Sequence, residues 1–518
     1  MNTKHGFVLG MFIAVFLTAS VSAEEKVHWD VVQKIMEEAF ENSRVMENVS
    51  WMTDVFGPRN SKSSGYVAAS EWAKNKLEEY GLSDARLEPF EFGVGWENKY
   101  TSVHMMTPQY SPIIAYPAAW SAGTDGRIRA QVKYVNTEEI TSEKDLEQYR
   151  GELEGLIIFV SPIQKVSPHF EYKPTTYTDE ELDAMSEIKI PVRGAEAEER
   201  RGPRSRGDRL SQERIFDFIM AEGAEAIVRP DGRNGFGIVD AAVNGYSMRK
   251  RMWETDAPPP INEVVIAAEH YNRIMRIMEK DIPVEMEIEI KVDFIRGEPV
   301  DYNVVAEIPG TDLAHEIVVV GGHLQSEPVG TGAIDNAAGA VASMEAVRIL
   351  KAIGAEPRRT IRVGLWGGHE MGLYGNRHHV RENFADREKK EYKKDYDNLV
   401  AYFNMDIGAG RIRGVSIMGN EVLRSILLEW MKPLHNLGMT HLFTTGMTHE
   451  AYSEVGLPGF YFDHDRKPID DMNAHTNMDL YERIDPEGLK QASVVMATFA
   501  YHAAMRDEKL PRIAPLPW

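Results

Sequence analysis

EIVVVGGHLQSEPVGTGAIDNAAGAVASMEAVRIL, residues 316–350, is the stretch whose reading decides the fold. It opens on a buried-type apolar run at 316–320, breaks at two glycines, and from residue 336 repeats apolar positions at helical spacing to residue 353. Strand, turn and helix in that order form the unit of an α/β sheet. Residues 303–308, 360–366 and 399–404 read as further short buried strands, and 421–437 as a second amphipathic helix. The expectation is an α/β fold, a mostly parallel mixed sheet flanked by helices, with ligands gathered at the carboxyl ends of the strands.

Upstream the texture differs. Apolar residues recur near helical spacing over 28–55 and again over 66–80, where Gly81 stops the pattern, while 85–92 alternates poorly as a strand. Between 111 and 282 short β-like runs at 128–135, 155–160, 224–228 and 263–267 alternate with charged, turn-rich loops, which reads as an inserted β-rich module. The expected organisation is therefore a leader over 1–23, helices and the first part of the main domain over 24–110, the insert over 111–282, and the rest of the main domain over 283–518. The arginine-rich segment 192–209 reads as a solvated loop.

The first residues, MNTKHGFVLGMFIAVFLTASVSA, combine Lys4, an apolar run from Phe7 and small residues at Val21 and Ala23, as in a secretory signal. No later stretch reaches eighteen consecutive apolar residues, so no membrane association is expected once the signal is cleaved, and the mature chain is expected to be secreted or periplasmic. The chain of 518 residues holds no cysteine, which excludes disulfides and zinc–thiolate sites. Its net charge of −22, or −23 once Lys4 leaves with the signal, opposes nucleic acid as a partner.

Five residues able to bind hard and borderline metals follow apolar runs or turns: His323, Asp335, Glu370, Asp406 and His475. Small residues around Asp335 let backbone approach closely. Two imidazoles and three carboxylates suffice for a pair of divalent cations with one carboxylate shared, an arrangement that generates hydroxide at neutral pH. Tyr461 is a candidate for the core or a specificity pocket, His464 and Asp465 for a substrate-covering loop or a surface turn, and Trp366 for packing. His378 and His379 are expected to face solvent or the end of a helix.

The segments 321–339 (GGHLQSEPVGTGAIDNAAG), 365–375 (LWGGHEMGLYG), 404–406 (NMD), 444–460 (TTGMTHEAYSEVGLPGF) and 475–484 (HTNMDLYERI) resemble the successive motifs of the M28 zinc peptidases. The ending ATFAYHAAMRDEKLP, 497–511, is most like that of secreted bacterial relatives of carboxypeptidase Q. The resemblance implies the zinc-peptidase, phosphorylase/hydrolase-like fold with an inserted protease-associated domain. It also implies two zinc ions per chain, one held by His323 and Asp406, the other by Glu370 and His475, with Asp335 bridging. The implied activity is exopeptidase hydrolysis of peptides or dipeptides, of aminopeptidase or carboxypeptidase type, by a metal-bridging hydroxide.

Three positions depart from the motifs. The glutamate that serves the family as general base is His369; the aspartate two residues after the first histidine is Gln325; and an expected Asp-His pair is His449-Glu450. Proton transfer is therefore expected from His369 or Glu450. A metal-containing binding protein that has lost catalysis is the alternative, and a glutaminyl-cyclase-like acyl transfer using one metal is a further one. The edges of the insert are a candidate homodimer face.

Overall fold

The computed structural model describes residues 25–166, 176–187, 210–233, 235–408, 410–417, 419–444, 450–465 and 473–512. The predicted leader and the arginine-rich segment up to residue 209 lie outside them. Two eight-stranded sheets organise the chain. The first runs, edge to edge, Ser83–Glu91, Val300–Ile308, Arg359–Trp366, Leu313–His323, Leu399–Asn404, Gly459–His464, Ile412–Ser416 and His441–Phe443. Its four central strands, from Arg359–Trp366 to Gly459–His464, are mutually parallel, whereas Val300–Ile308 and Ile412–Ser416 flank them antiparallel. This is the α/β architecture with a mixed sheet expected from the sequence.

The unbroken apolar runs have a direct cause. Val318 and Val320 pack into the large core under the Ala338–Ala352 and Pro486–Met505 helices, while Ile317 and Val319 pack on the opposite face with Trp366, Val380, Phe384 and Tyr452. A strand covered on both faces has no reason to alternate. Pro486–Met505 is buried along nearly its whole length and is capped by Asp485, whose side chain accepts the Glu487 N–H. Among the described residues no helix is long and apolar enough to cross a membrane.

The second sheet is built around Gly95–Thr107, Glu285–Ile295, Ile128–Tyr134, Ile157–Phe159, Ala226–Pro230 and Glu263–Ile266, with two short edge strands. One core beside it gathers Phe216 and Trp253 with Phe90 and Met371, and another gathers Met286 and Tyr271. Its strands run from Gly95 to Ile295, beyond both ends of the expected 111–282 span. The two long strands that make this difference, Gly95–Thr107 and Glu285–Ile295, pair antiparallel along most of their length.

Candidate metal centre

Parallel strands put their carboxyl ends on one edge, and the predicted donors gather there. His323 ends its strand, Asp406 lies two residues past Asn404, and Glu370 follows the turn after Trp366. Asp335 occupies the non-helical turn before the Ala338–Ala352 helix, with φ −121° and ψ 86°. His475 sits in the loop before the last helix with φ +61°. That left-handed backbone costs a non-glycine residue roughly 1–3 kcal/mol and is tolerated where surrounding structure imposes it. The glycines of the quoted stretch make the approach: a Cβ on Gly322 would lie 2.8 Å from the Gly339 carbonyl carbon and 2.9 Å from the Met405 carbonyl oxygen.

All five expected donors come together. The Nε2 of His323 is 2.9 Å from Asp406 Oδ1, 3.0 Å from Asp335 Oδ1 and 3.8 Å from Glu370 Oε1. On the other side of Asp335, Oδ2 is 2.8 Å from His475 Nε2, which is 3.4 Å from Glu370 Oε2. Asp335 thus faces one imidazole with each oxygen. His369 joins the set: its ring stacks on that of His323 at 3.9 Å and 10°, with Nε2 3.3 Å from Asp406 Oδ2. The side chain of the other expected proton carrier, Glu450, lies outside the described residues; its backbone begins the Glu450–Ser453 helix.

Electrostatics explain why so many acids coexist. Burial alone would raise Asp406 and Asp335, but His323 and His369 around the first, and His475 and His323 around the second, hold both carboxyls below their ordinary range. Reciprocally, the carboxylates outweigh burial and raise His323 and His475. The donor set suits a divalent ion: His323, Asp335 and Asp406 have ligating atoms all within 4.8 Å of one another, as do His323, His369 and Glu370, and Glu327, Glu370 and His475. Two donors at about 2.0–2.1 Å on tetrahedral zinc stand about 3.3 Å apart, and the separations here bracket that value.

Further supporting residues escaped the sequence reading. Glu327 is buried, accepts the Val243 N–H at 2.9 Å, and is pushed up to about 8 by burial and by Glu370, against the opposing effect of His475. Asp479 accepts the N–H groups of Ile334 and Asp335 at 2.6 and 3.1 Å, holding the Asp335 turn. Burial raises its carboxyl to about 7 despite those two bonds. Arg59, fully buried, donates to the carbonyls of Leu324, Met52, Gly57, Thr331 and Gly332. Val239 pairs with Asn477, and Arg233 donates to the Ala474 carbonyl at 2.8 Å, so the loop after Ala226–Pro230 clamps the His475 loop. Only Asp479, four residues after His475 in AHTNMD, carried a readable signal.

Other expectations resolve differently. His379 faces neither solvent nor a helix end; it is buried, with Nδ1 2.9 Å from Glu88, because the helix turns its His379–Val380 side to the sheet. His464 and Asp465 are buried and form no surface turn. His464 closes the Gly459–His464 strand, and buried Asp465 pairs with Arg413 at 3.2 Å. Tyr461 is core, and its hydroxyl donates to the Asp406 carbonyl at 2.8 Å; Trp366 packs and bonds Tyr402.

Residues 303–500 match the model of peptidase family M28. Over 482 residues the chain is 25% identical to carboxypeptidase Q of Mus musculus, covering 91% of this chain and 87% of that one. A peptidase M28 precursor from Shewanella amazonensis SB2B has a crystal structure similar to this one, with a TM-score of 0.67 and 23% identity over 94% of this chain and 99% of that chain. A zinc aminopeptidase from Bacillus subtilis shares the fold at a TM-score of 0.55 and 17% identity, covering 90% and 96% of the two chains.

Proposed function

We propose, from the premise that this chain carries a peptidase family M28 domain homologous to carboxypeptidase Q, that it is a metallo-exopeptidase cleaving peptides or dipeptides beside a terminus, outside the cytoplasm. In this reading His323 and Asp406 hold one divalent ion, Glu370 and His475 a second, and Asp335 both. Zinc is the metal of choice, as in the Bacillus subtilis aminopeptidase that shares the fold. Bound dications would acidify a water and polarise the scissile carbonyl. The observation that carries the reading is the double contact of Asp335, Oδ1 to His323 at 3.0 Å and Oδ2 to His475 at 2.8 Å.

The chain's own groups do the rest. Asp479 and Gln325 hold the backbone N–H groups of Asp335 and Glu370, so both carboxylates arrive oriented before any ion binds. His369 and Glu450 are the residues that motif comparison names for proton transfer, and Glu327 is the one that geometry adds. Burial and Glu370 raise its carboxyl to about 8, against the effect of His475, and one of its oxygens accepts from Val243, which makes it a candidate proton carrier beside the Glu370 and His475 position. A metal-containing binding protein without turnover is the second reading, favoured by the imidazole that replaces the family's glutamate. Asp335→Ala and Glu370→Ala are each expected to abolish metal-dependent hydrolysis across a peptide library, and unchanged turnover in either rejects the assignment.

A further inference from the structure

We infer that Asn303 is the positioning residue for Glu370: its carboxamide staples together the two ends of the turn that presents this carboxylate to an ion. The inference rests on the metal reading above and goes beyond it by naming what holds the turn before any ion binds. Glu370 lies inside residues 367–375, which leave the Arg359–Trp366 strand and lead into the Tyr374–Asn383 helix. Both ends of this stretch are glycines. The backbone joins them once, the Gly375 N–H donating to the Gly367 carbonyl at 3.0 Å. Asn303 joins them a second time: its Oδ1 accepts the Gly367 N–H at 3.1 Å and its Nδ2 donates to the Gly375 carbonyl at 2.9 Å. One side-chain amide thus closes the turn as a facing peptide group would. A Cβ on Gly375 would fall on Asn303 Oδ1, so glycine at that end is what lets the amide approach.

The surroundings fix which way the amide points. Its Nδ2 faces two acceptors, the Gly375 carbonyl and Glu88 Oε1 at 3.1 Å, and only the NH₂ end satisfies both. Glu88 stands opposite Asn303 in the neighbouring strand and accepts from His379 Nδ1 at 2.9 Å, on the helix that follows the turn. Asn303 is itself fully buried, which shields the staple from solvent. Within the turn the Gly368 N–H reaches Ser61 Oγ at 3.1 Å and the Glu370 N–H reaches the Gln325 amide oxygen at 3.0 Å. Each of these holds one point, whereas Asn303 holds both ends. Of the five expected donors Glu370 alone sits on this stretch, and in the metal reading it serves only the ion shared with His475. Removing the staple therefore acts on one ion position and spares the other, a selectivity that a general loss of packing does not produce.

The test uses full-length protein, zinc and two variants: Asn303→Leu, which keeps the volume without the amide, and the smaller Asn303→Ser, too short to reach both glycines. Chelator competition is expected to show one of two zinc ions weakened roughly 10–100-fold in the variants and the other unchanged. Hydrogen exchange of the metal-free protein, read by mass spectrometry, is expected to rise about tenfold or more over residues 367–375 and to stay constant over 316–323. Equal weakening of both ions, or of neither, would overturn the inference. So would a wild-type turn that exchanges freely until zinc is added, an outcome that needs no variant and decides the matter even if both substitutions prevent folding. Wild-type protein that takes up no zinc would overturn the metal reading instead, while the exchange measurement still reports whether Asn303 holds the turn.

Discussion

The backbone carbonyl of Gln325 accepts the Nδ1–H of His323 at 2.5 Å. This bond fixes the tautomer that leaves Nε2 facing Asp335 and Asp406, a task the family gives to an aspartate side chain at the same position. The exchange of that aspartate for glutamine therefore does not remove orientation from His323. It moves the side chain to another duty, since the Gln325 amide oxygen accepts the Glu370 N–H at 3.0 Å and its amide nitrogen donates to the Ser326 carbonyl at 2.8 Å.

Gln325→Ala is accordingly expected to weaken metal binding through Glu370 by about tenfold, the lower end for a lost supporting contact, while the His323 position keeps its affinity. Stepwise chelator competition reads both. Loss confined to the His323 position would contradict the role assigned to the carbonyl.

Glu327→Gln preserves shape and removes the titratable carboxyl. Turnover should fall by roughly 10²–10⁴-fold with metal content retained, the range for loss of a general acid or base. Metal analysis alongside kcat separates this from a ligand effect. Full activity would remove Glu327 from the reaction.

Arg59→Met would remove the guanidinium from five carbonyls, those of Leu324, Met52 and Gly332 buried and those of Gly57 and Thr331 partly buried. Given about 1 kcal/mol or more for each unsatisfied group, the loss of stability should reach on the order of 3 kcal/mol or more. Urea unfolding measures it directly. A change under about 1 kcal/mol would show that neighbouring backbone or water replaces the guanidinium.

The buried carboxyl of Asp301, which accepts the Lys62 N–H at 3.1 Å, is raised by burial to about 7. A folded-state value above the unfolded one means that the folded protein holds a proton the unfolded chain releases. This contribution is complete below the ordinary aspartate range and is lost as pH rises through about 7. Asp301→Asn should therefore flatten the decline in stability between about pH 4 and 7, as measured by urea midpoints. Identical slopes for variant and wild type would place the proton elsewhere.

Residues 316–350 made the α/β class legible because a strand buried on both faces leaves an unbroken apolar run, and a strand end followed by a glycine-rich turn marks where polar side chains can gather. His323, Asp335, Glu370, Asp406 and His475 could be picked out by that local rule alone, since each follows a run or turn of recognisable type. Asp479 was within reach for the same reason. The roles of Glu327, Arg59 and the Gln325 carbonyl were not. Glu327 owes its place to the Val243 N–H and Arg59 to carbonyls as far along the chain as Gly332. The Gln325 carbonyl is a backbone atom, on which residue identity is silent. Sequence by itself determined which residue types stand at the ends of strands, because local periodicity encodes the strands. Tertiary structure alone decided which distant groups meet them and how His369 lies on His323, because such contacts depend on packing between segments that share no pattern.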